Sequence, residues 1–349
     1  MKKIRMTAVL ALTAAFSLAL TACGSSASSA ASSAASAAGS GASAPAGDPI
    51  RVSIVQPMSH TSLDQIRDTI VAQLEASGLN FEIETQNANG DTSALNTILQ
   101  NEKSSGVDIL IPIATSTAQS AKSVFEGSDL PIIFAAVSDP VAAGLIGEGC
   151  ENITGVSNNI PADEIVKLIS NFQPDYQKIG FLYTSSETNS VSTINAAKAC
   201  CDENGIAYEE ASIAALSELP TAVNSLLSKG VDALYTGNDN SIASAMPTYT
   251  DAAYSRKVPV YCGADSMVAD GGFATIGVDY VQLGQQVADL TLQVAEGTSP
   301  ADLPYETLSE YAKYVNLQAA DTLGLELTDE MLEGYNVLVE KDGTSRFGE

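Results

Sequence analysis

The residues able to do chemistry fall in six short segments: Gln56-Pro57-Met58-Ser59-His60, Ala114-Thr115-Ser116-Thr117, Val137-Ser138-Asp139-Pro140, the run from Thr184 to Ser190, Gly237-Asn238-Asp239-Asn240-Ser241 and Gly263-Ala264-Asp265-Ser266. They offer hydroxyls, amides and carboxylates, with no lysine or arginine among them. Thr115, Ser116, Ser185 and Ser186, together with the free N–H groups of the helices they open, suit a carboxylate without a cationic side chain. Asp239 or Asp265 would neutralise an ammonium. Gln56, His60, Asn189, Asn238 and Asn240 would line the same space, joined by Ser138. Asp139 has two readings, a contact or a cap on the turn at Pro140. A zwitterion such as an amino acid meets both halves of this chemistry. Ser, Thr, Asn and Asp are also the preferred caps and turn residues, so any one of them reads first as a cap and only the set reads as a site.

Other chemistries lack their parts. His60 is the only histidine, and the five cysteines contain no CxxC, so neither a histidine-rich metal centre nor a zinc ribbon is expected. No nucleophile signature accompanies His60, which reads as a polar lining residue rather than a base. Neither a P-loop nor a GxGxxG run occurs, and no cofactor, metal or catalytic residue is expected. Sugar sites commonly stack on Trp, and this chain has none, although Phe134, Tyr183 and Tyr235 near strand ends are substitutes. Sixteen Lys plus Arg against 42 Asp plus Glu give a formal charge of −26, which repels nucleic acid and anionic headgroups. With 349 residues, 45% of them hydrophobic, the chain is long enough for two ordinary domains and too apolar for disorder.

The six segments must be held by the elements around them. From Asp48, β-branched runs alternate with stretches of helical period, which predicts an α/β fold with parallel sheets. Strands are predicted near 50–55, 81–86, 107–113 and 131–137, with helices near 63–77, 92–104 and 117–126. The series restarts with strands near 178–183, 206–211, 231–236 and 258–262, separated by helices near 189–204, 217–229 and 241–256, the last interrupted by Pro247. Gly106-Val107-Asp108 recurs as Gly230-Val231-Asp232, Leu130-Pro131-Ile132 as Val258-Pro259-Val260, and Ser77-Gly78-Leu79 as Asn204-Gly205-Ile206. Two similar lobes follow: 48–157 plus 276–302, and 158–275 plus 303–349. A further strand near 273–278, a helix near 281–296, an extended run at 311–316 and two helical pieces in the tail would be shared between them across a hinge of several crossings. Each chemical segment then lies at the carboxyl end of a strand, where open α/β sheets bind ligands.

The amino-terminal residues read as an address. Lys2, Lys3 and Arg5 precede an apolar stretch at 8–20, too short to span a bilayer comfortably, so residues 1–22 are expected to be a signal peptide. Leu20-Thr21-Ala22-Cys23 resembles a bacterial lipobox, which implies lipidation of Cys23. The Gly/Ser/Ala-rich run to residue 47 would then be a flexible tether. The protein is therefore expected to be lipid-anchored on the extracytoplasmic face of the cell membrane, as a monomer. Cys150, Cys200, Cys201 and Cys262 are expected to be buried free thiols, although an oxidising compartment permits disulfides.

Several ordered blocks carry a family likeness: Ile54-Val55-Gln56 with His60 and Leu63-Asp64, Asn87-Ala88-Asn89-Gly90-Asp91, Ile113-Ala114-Thr115-Ser116, Phe134 to Pro140, Asn152 to Ser157, Tyr183 to Glu187, and Asp239-Asn240. From about residue 50 to 320 the chain resembles the ABC-transporter substrate-binding lipoproteins of the tryptophan/tyrosine-type family. The resemblance implies a type I periplasmic-binding-protein fold, two Rossmann-like lobes closing on a small ligand, and delivery to a membrane permease driven by a cytoplasmic ATPase. A sensory binding protein of the same fold, or a binder of a nucleoside or sugar, is the alternative. An enzyme would have to use Asp139 and Asp265 across the cleft. A repressor of this fold would need a basic helix-turn-helix where this chain has an export signal.

Overall fold

The computed structural model describes residues 47–308 and 311–347. The expected signal peptide, Cys23 and all of the tether but Gly47 lie outside the described residues. The chain first lays down β1 (Ile50–Gln56), α1 (Thr61–Ala76), β2 (Phe81–Asn87), α2 (Thr92–Ser105), β3 (Ile109–Pro112), α3 (Thr115–Val124), β4 (Ile132–Ala135) and β5 (Ile153–Ser157). It then crosses to a second lobe with α4 (Ala162–Phe172), β6 (Lys178–Thr184), α5 (Thr188–Asn204), β7 (Ala207–Ile213), α6 (Leu219–Ser228) and β8 (Ala233–Thr236). There follow α7 (Asn240–Ala243), α8 (Met246–Tyr254), β9 (Val260–Cys262), α9 (Asp265–Ala269) and β10 (Ala274–Gly277). Helix α10 (Tyr280–Ala295) returns to pack on α1, and β11 (Glu306–Thr307) pairs with β5. A last crossing leads to β12 (Ala312–Asn316), α11 (Leu317–Leu323) and β13 (Asn336–Val339).

The two sheets run β11-β5-β4-β3-β1-β2 and β13-β12-β10-β9-β8-β6-β7. All pairings are parallel except β10 with β12. The central strands β3, β4 and β8 are buried along their whole length, as strands covered on both faces must be. The edge strands β2 and β7 instead expose acidic residues, Glu82 and Glu84 on one and Glu210 on the other, which discourages pairing with another chain. On α1, Leu63, Ile66, Ile70 and Leu74 recur at helical spacing and form the buried stripe. Asp91 caps α2 by accepting from the N–H groups of Ser93 and Ala94. At Gly155 (φ +154°) β5 approaches β4 so closely that a Cβ would stand 2.1 Å from the Phe134 carbonyl oxygen.

Several expectations change. The helix read over 241–256 is two, α7 and α8, because Pro247 lacks an N–H and is accommodated in the first turn of α8. Strand β5 and helices α4 and α9 are absent from the sequence reading, and of the two helical pieces expected in the tail α11 forms an α-helix, while Asp329–Gly334 is a run of turns. Glu306 and Thr307 pair in the first sheet rather than the second, and Ile276 and Gly277 belong to the second sheet rather than the first. Cys150, Cys201 and Cys262 are buried free thiols, whereas Cys200 is only half-buried. Cys200 and Cys201 point from different sides of α5, as neighbours on a helix do.

Candidate ligand-binding site

The carboxyl ends of the two sheets face each other across a narrow cavity with about 20 Å³ of room for water-sized molecules. The first lobe contributes His60, Ser62 and Leu63 from the start of α1, Ala114 and Thr115 from the β3–α3 junction, and Ala136 and Ser138 after β4. Asn158 follows β5. The second lobe contributes Asn189 on α5, Asn238, Asp239, Asn240 and Ala243 around α7, and Ala264, Ser266 and Met267 around α9; Tyr280 opens α10, the helix that returns to the first lobe. Among the described residues, no lysine or arginine lines the cavity.

Two alanines carry strained backbone at its edge. Ala114 has φ 72° and ψ 157°, and Ala136 has φ 57°, in regions that favour glycine. Both are held there by hydrogen bonds across the sheet, Ala114 N–H to the Ala135 carbonyl and Ala136 N–H to the Val156 carbonyl, each 2.9 Å. The bend at Ala114 turns the chain directly into α3. The first intrahelical bond runs from Ala118 N–H to the Ala114 carbonyl, so the N–H groups of Thr115, Ser116 and Thr117 have no partner within the helix. The Thr115 hydroxyl is buried and has no hydrogen-bond partner. A helix start with free amides and an idle hydroxyl is suited to an anion.

The opposite wall is organised by two buried acids. The Asp239 carboxylate accepts from the Thr184 N–H at 2.6 Å, the Thr184 hydroxyl at 2.9 Å and the Ile242 N–H at 2.9 Å. Burial, reinforced by the neighbouring Glu187 charge, holds its pKa well above the usual carboxylate range. Glu187 accepts from the backbone N–H and side-chain amide of Asn240, both at 2.9 Å, and from the N–H and hydroxyl of Ser241 at 2.9 and 2.7 Å. Asn189 donates to the Asn238 carbonyl at 2.6 Å. His60 Nε2 lies 3.1 Å from Asn240 Oδ1 across the cleft, and burial lowers the histidine pKa. The hydroxyls of Ser62 and Ser266, also from opposite lobes, are 2.5 Å apart.

The structure brings seven of the sequence-selected residues together around the cavity: His60, Thr115, Ser138, Asn189, Asn238, Asp239 and Asn240. Six others do not line it. Gln56 donates to the Met58 carbonyl and to Asp64, fixing the loop before α1. Ser116 and Ser186 border a separate crevice between the lobes. Ser185 donates to the Ile213 carbonyl at 3.2 Å. Asp139 accepts from the Ala142 N–H, capping the turn, and from the Ser192 hydroxyl of the other lobe. Asp265 accepts from the Ser266 N–H, and burial pushes its pKa up to about 6. Asp239 is thus the acid that remains opposite Thr115. Sequence reasoning missed Ser62, Asn158, Met267 and Tyr280, and it named Ser266 and Leu63 only as members of quoted segments without assigning them to the ligand; Ser62 and Asn158 follow recognised blocks by only two and one residues, but the apolar members resemble ordinary core.

Residues 51–336 match the family model described as ABC transporter substrate binding protein. The chain is 32% identical over 283 residues to the tyrosine-binding protein of Clostridioides difficile strain R20291, covering 79% of this chain and 81% of that relative. It is similar to the crystal structure of an ABC domain in complex with L-Trp from Streptococcus pneumonia, with 32% identity and a TM-score of 0.78 over 83% of this chain and 99% of that one. Against the ligand-free, open structure of a substrate binding protein with adhesive properties from Clostridium difficile, identity is 31% and the TM-score 0.64, over 82% and 98% of the two chains. Identity is thus nearly equal in the two comparisons, and the TM-score is higher for the L-Trp complex. The two-lobed architecture is that of the type I periplasmic binding proteins.

Proposed function

Because the chain belongs to the family of ABC transporter substrate binding proteins, we propose that its ligand is an aromatic amino acid, held as a zwitterion between the lobes and passed to a membrane permease. One observation carries this reading: the idle Thr115 hydroxyl, at the start of α3, lies on one wall of the cavity, and the buried carboxylate of Asp239 on the other. The ligand carboxylate takes the α3 start, its ammonium takes Asp239, and its side chain lies against Leu63, Ala243 and Met267, where thioether–aromatic contact is favourable. The aromatic character is supported by the tyrosine and L-Trp named for two relatives.

Capture follows from hinge geometry. The ligand touches the first lobe through Thr115 and the second through Asp239, so both sets of contacts exist only when the lobes are together. Contacts made in one state alone are what shift the balance toward it. The permease then reads the closed shape.

Substrate-binding proteins of ABC transporters work outside the cytoplasm, and no helix among the described residues is long and apolar enough to cross a membrane. We infer that Cys23 carries the lipid anchor and that the run to residue 47 is the leash of a monomeric protein. In cells, Cys23→Ala should move the protein from the membrane to the soluble fraction.

The decisive experiment is thermal-shift screening of the chain from residue 24, which carries every described element, against the amino acids, nucleosides and sugars. An aromatic amino acid at a hundredfold excess over its dissociation constant should stabilise the fold by ~2.7 kcal/mol. A shift with a sugar or nucleoside and none with aromatic amino acids would overturn the proposal.

A further inference from the structure

Among the side chains that line the cavity, two carry a buried polar atom with no partner: Thr115 Oγ1 and His60 Nδ1. The first can donate a hydrogen bond and meets the ligand carboxylate in the reading above. The chemistry of the second is fixed by its neighbours. Glu187 can only accept, so the Asn240 amide must present its NH2 group to Glu187 Oε2, at 2.9 Å, and its Oδ1 to the histidine. His60 Nε2, 3.1 Å from that oxygen, must then carry the proton. Burial keeps the ring neutral against the opposing pull of Asn240, Glu187, Asp64 and Asp270, so Nδ1 is a bare lone pair. A buried acceptor left empty costs free energy that a hydrogen bond from the ligand would recover.

Asp239 already stands opposite Thr115 for the ammonium. His60 is a further group of the same lining: it adjoins Leu63 on α1 and, through Asn240, the helix that bears Ala243. We propose that His60 Nδ1 is a specificity-determining acceptor, taking a hydrogen bond from a polar hydrogen on the ligand side chain, so that the site selects an indole N–H or phenol O–H over a plain phenyl ring. The inference rests on the aromatic amino acid reading and names the subclass it admits. Glu187 and Asn240 act as positioning residues, setting the tautomer without touching the ligand side chain.

The test is calorimetric titration of the chain from residue 24 with L-tryptophan, L-tyrosine and L-phenylalanine, repeated on His60→Leu. The wild type should bind phenylalanine at least about fivefold more weakly than the better of the other two. His60→Leu should collapse that ratio toward one. Since His60 is the only histidine, 15N-histidine NMR of the complex reads the tautomer directly, without the variant. Nε2 should be protonated, and Nδ1 should be unprotonated and shifted on ligand addition. Equal affinities in the wild type, an unchanged ratio in His60→Leu, or a proton on Nδ1 would each overturn the proposal while leaving the aromatic amino acid reading intact. Failure of all three amino acids to bind would overturn both.

Discussion

Asp139 Oδ2 accepts a 2.6 Å hydrogen bond from the Ser192 hydroxyl, and the two residues belong to different lobes. Asp139 is fixed after β4 by the turn it caps, and Ser192 rides on α5, so the bond forms only in the closed arrangement. With His60–Asn240 and Ser62–Ser266 it makes a set of latches that hold the cleft shut beside the ligand rather than through it. Ser192→Ala removes the donor and leaves the cap intact. A hydrogen bond to a charged acceptor contributes ~1.5 kcal/mol or more when sheltered, and this one, half-exposed, should contribute about 1 kcal/mol. Stopped-flow release should therefore be roughly fivefold faster, with the association rate little changed. An unchanged release rate would remove the latch.

Thr115→Val keeps shape and deletes the idle hydroxyl. Affinity for a free amino acid should fall by about 1–2 kcal/mol, and the wild type should bind the corresponding amino acid amide poorly. The apo protein should be no less stable, because the variant also removes a buried, unpartnered polar group. Calorimetry and thermal melts separate the two effects. A loss of apo stability with unchanged affinity would assign Thr115 to the fold alone.

Ala114→Gly should raise stability. The backbone at φ 72°, ψ 157° suits glycine, and relieving it should contribute about 1 kcal/mol, roughly 2 °C in Tm for a chain of this size. A lower melting temperature would show that the methyl packing outweighs the strain.

The pH dependence of stability has a definite sign at Asp265. Its folded pKa is raised by burial to about 6 from an ordinary 3.8, so the folded protein binds the proton more tightly than the unfolded chain. The resulting stabilisation is fully present below pH 3.8 and is lost as pH rises through about 6. Melts between pH 5 and 7.5 should show a steeper fall for the wild type than for Asp265→Asn. Ligand affinity should be unchanged in that variant, because Asp265 does not line the cavity.

Much of this was legible in the residues themselves. The β-branched runs and the recurring Gly-Val-Asp motif place two matching series of strands, because a buried parallel strand must be apolar along its length and a helix must show one apolar face. β5 escaped because Ile153-Thr154-Gly155-Val156-Ser157 is short and broken by Thr154 and Ser157, with a glycine whose need appears only when β4 lies beside it. Pro247 marks an interruption in the pattern over 241–256, but only the packing of the turn decides whether a proline bends a helix or, as between α7 and α8, starts a new one.

What the sequence determined by itself is which strand ends would carry polar groups, and that none of those groups would be a lysine or arginine. It could not divide those groups between ligand and scaffold. Asp239 and Asp265 follow similar strands with similar neighbours, yet one faces the cavity and the other is turned onto the Ser266 amide in the first turn of α9. Gln56 and His60, four residues apart, part in the same way, one tied into its own loop and the other reaching Asn240 in the opposite lobe. Direction is the reason: residue type fixes what a group can bond, but where its lone pairs and protons point depends on backbone angles and on partners more than a hundred residues away, and these exist only once the two lobes have met.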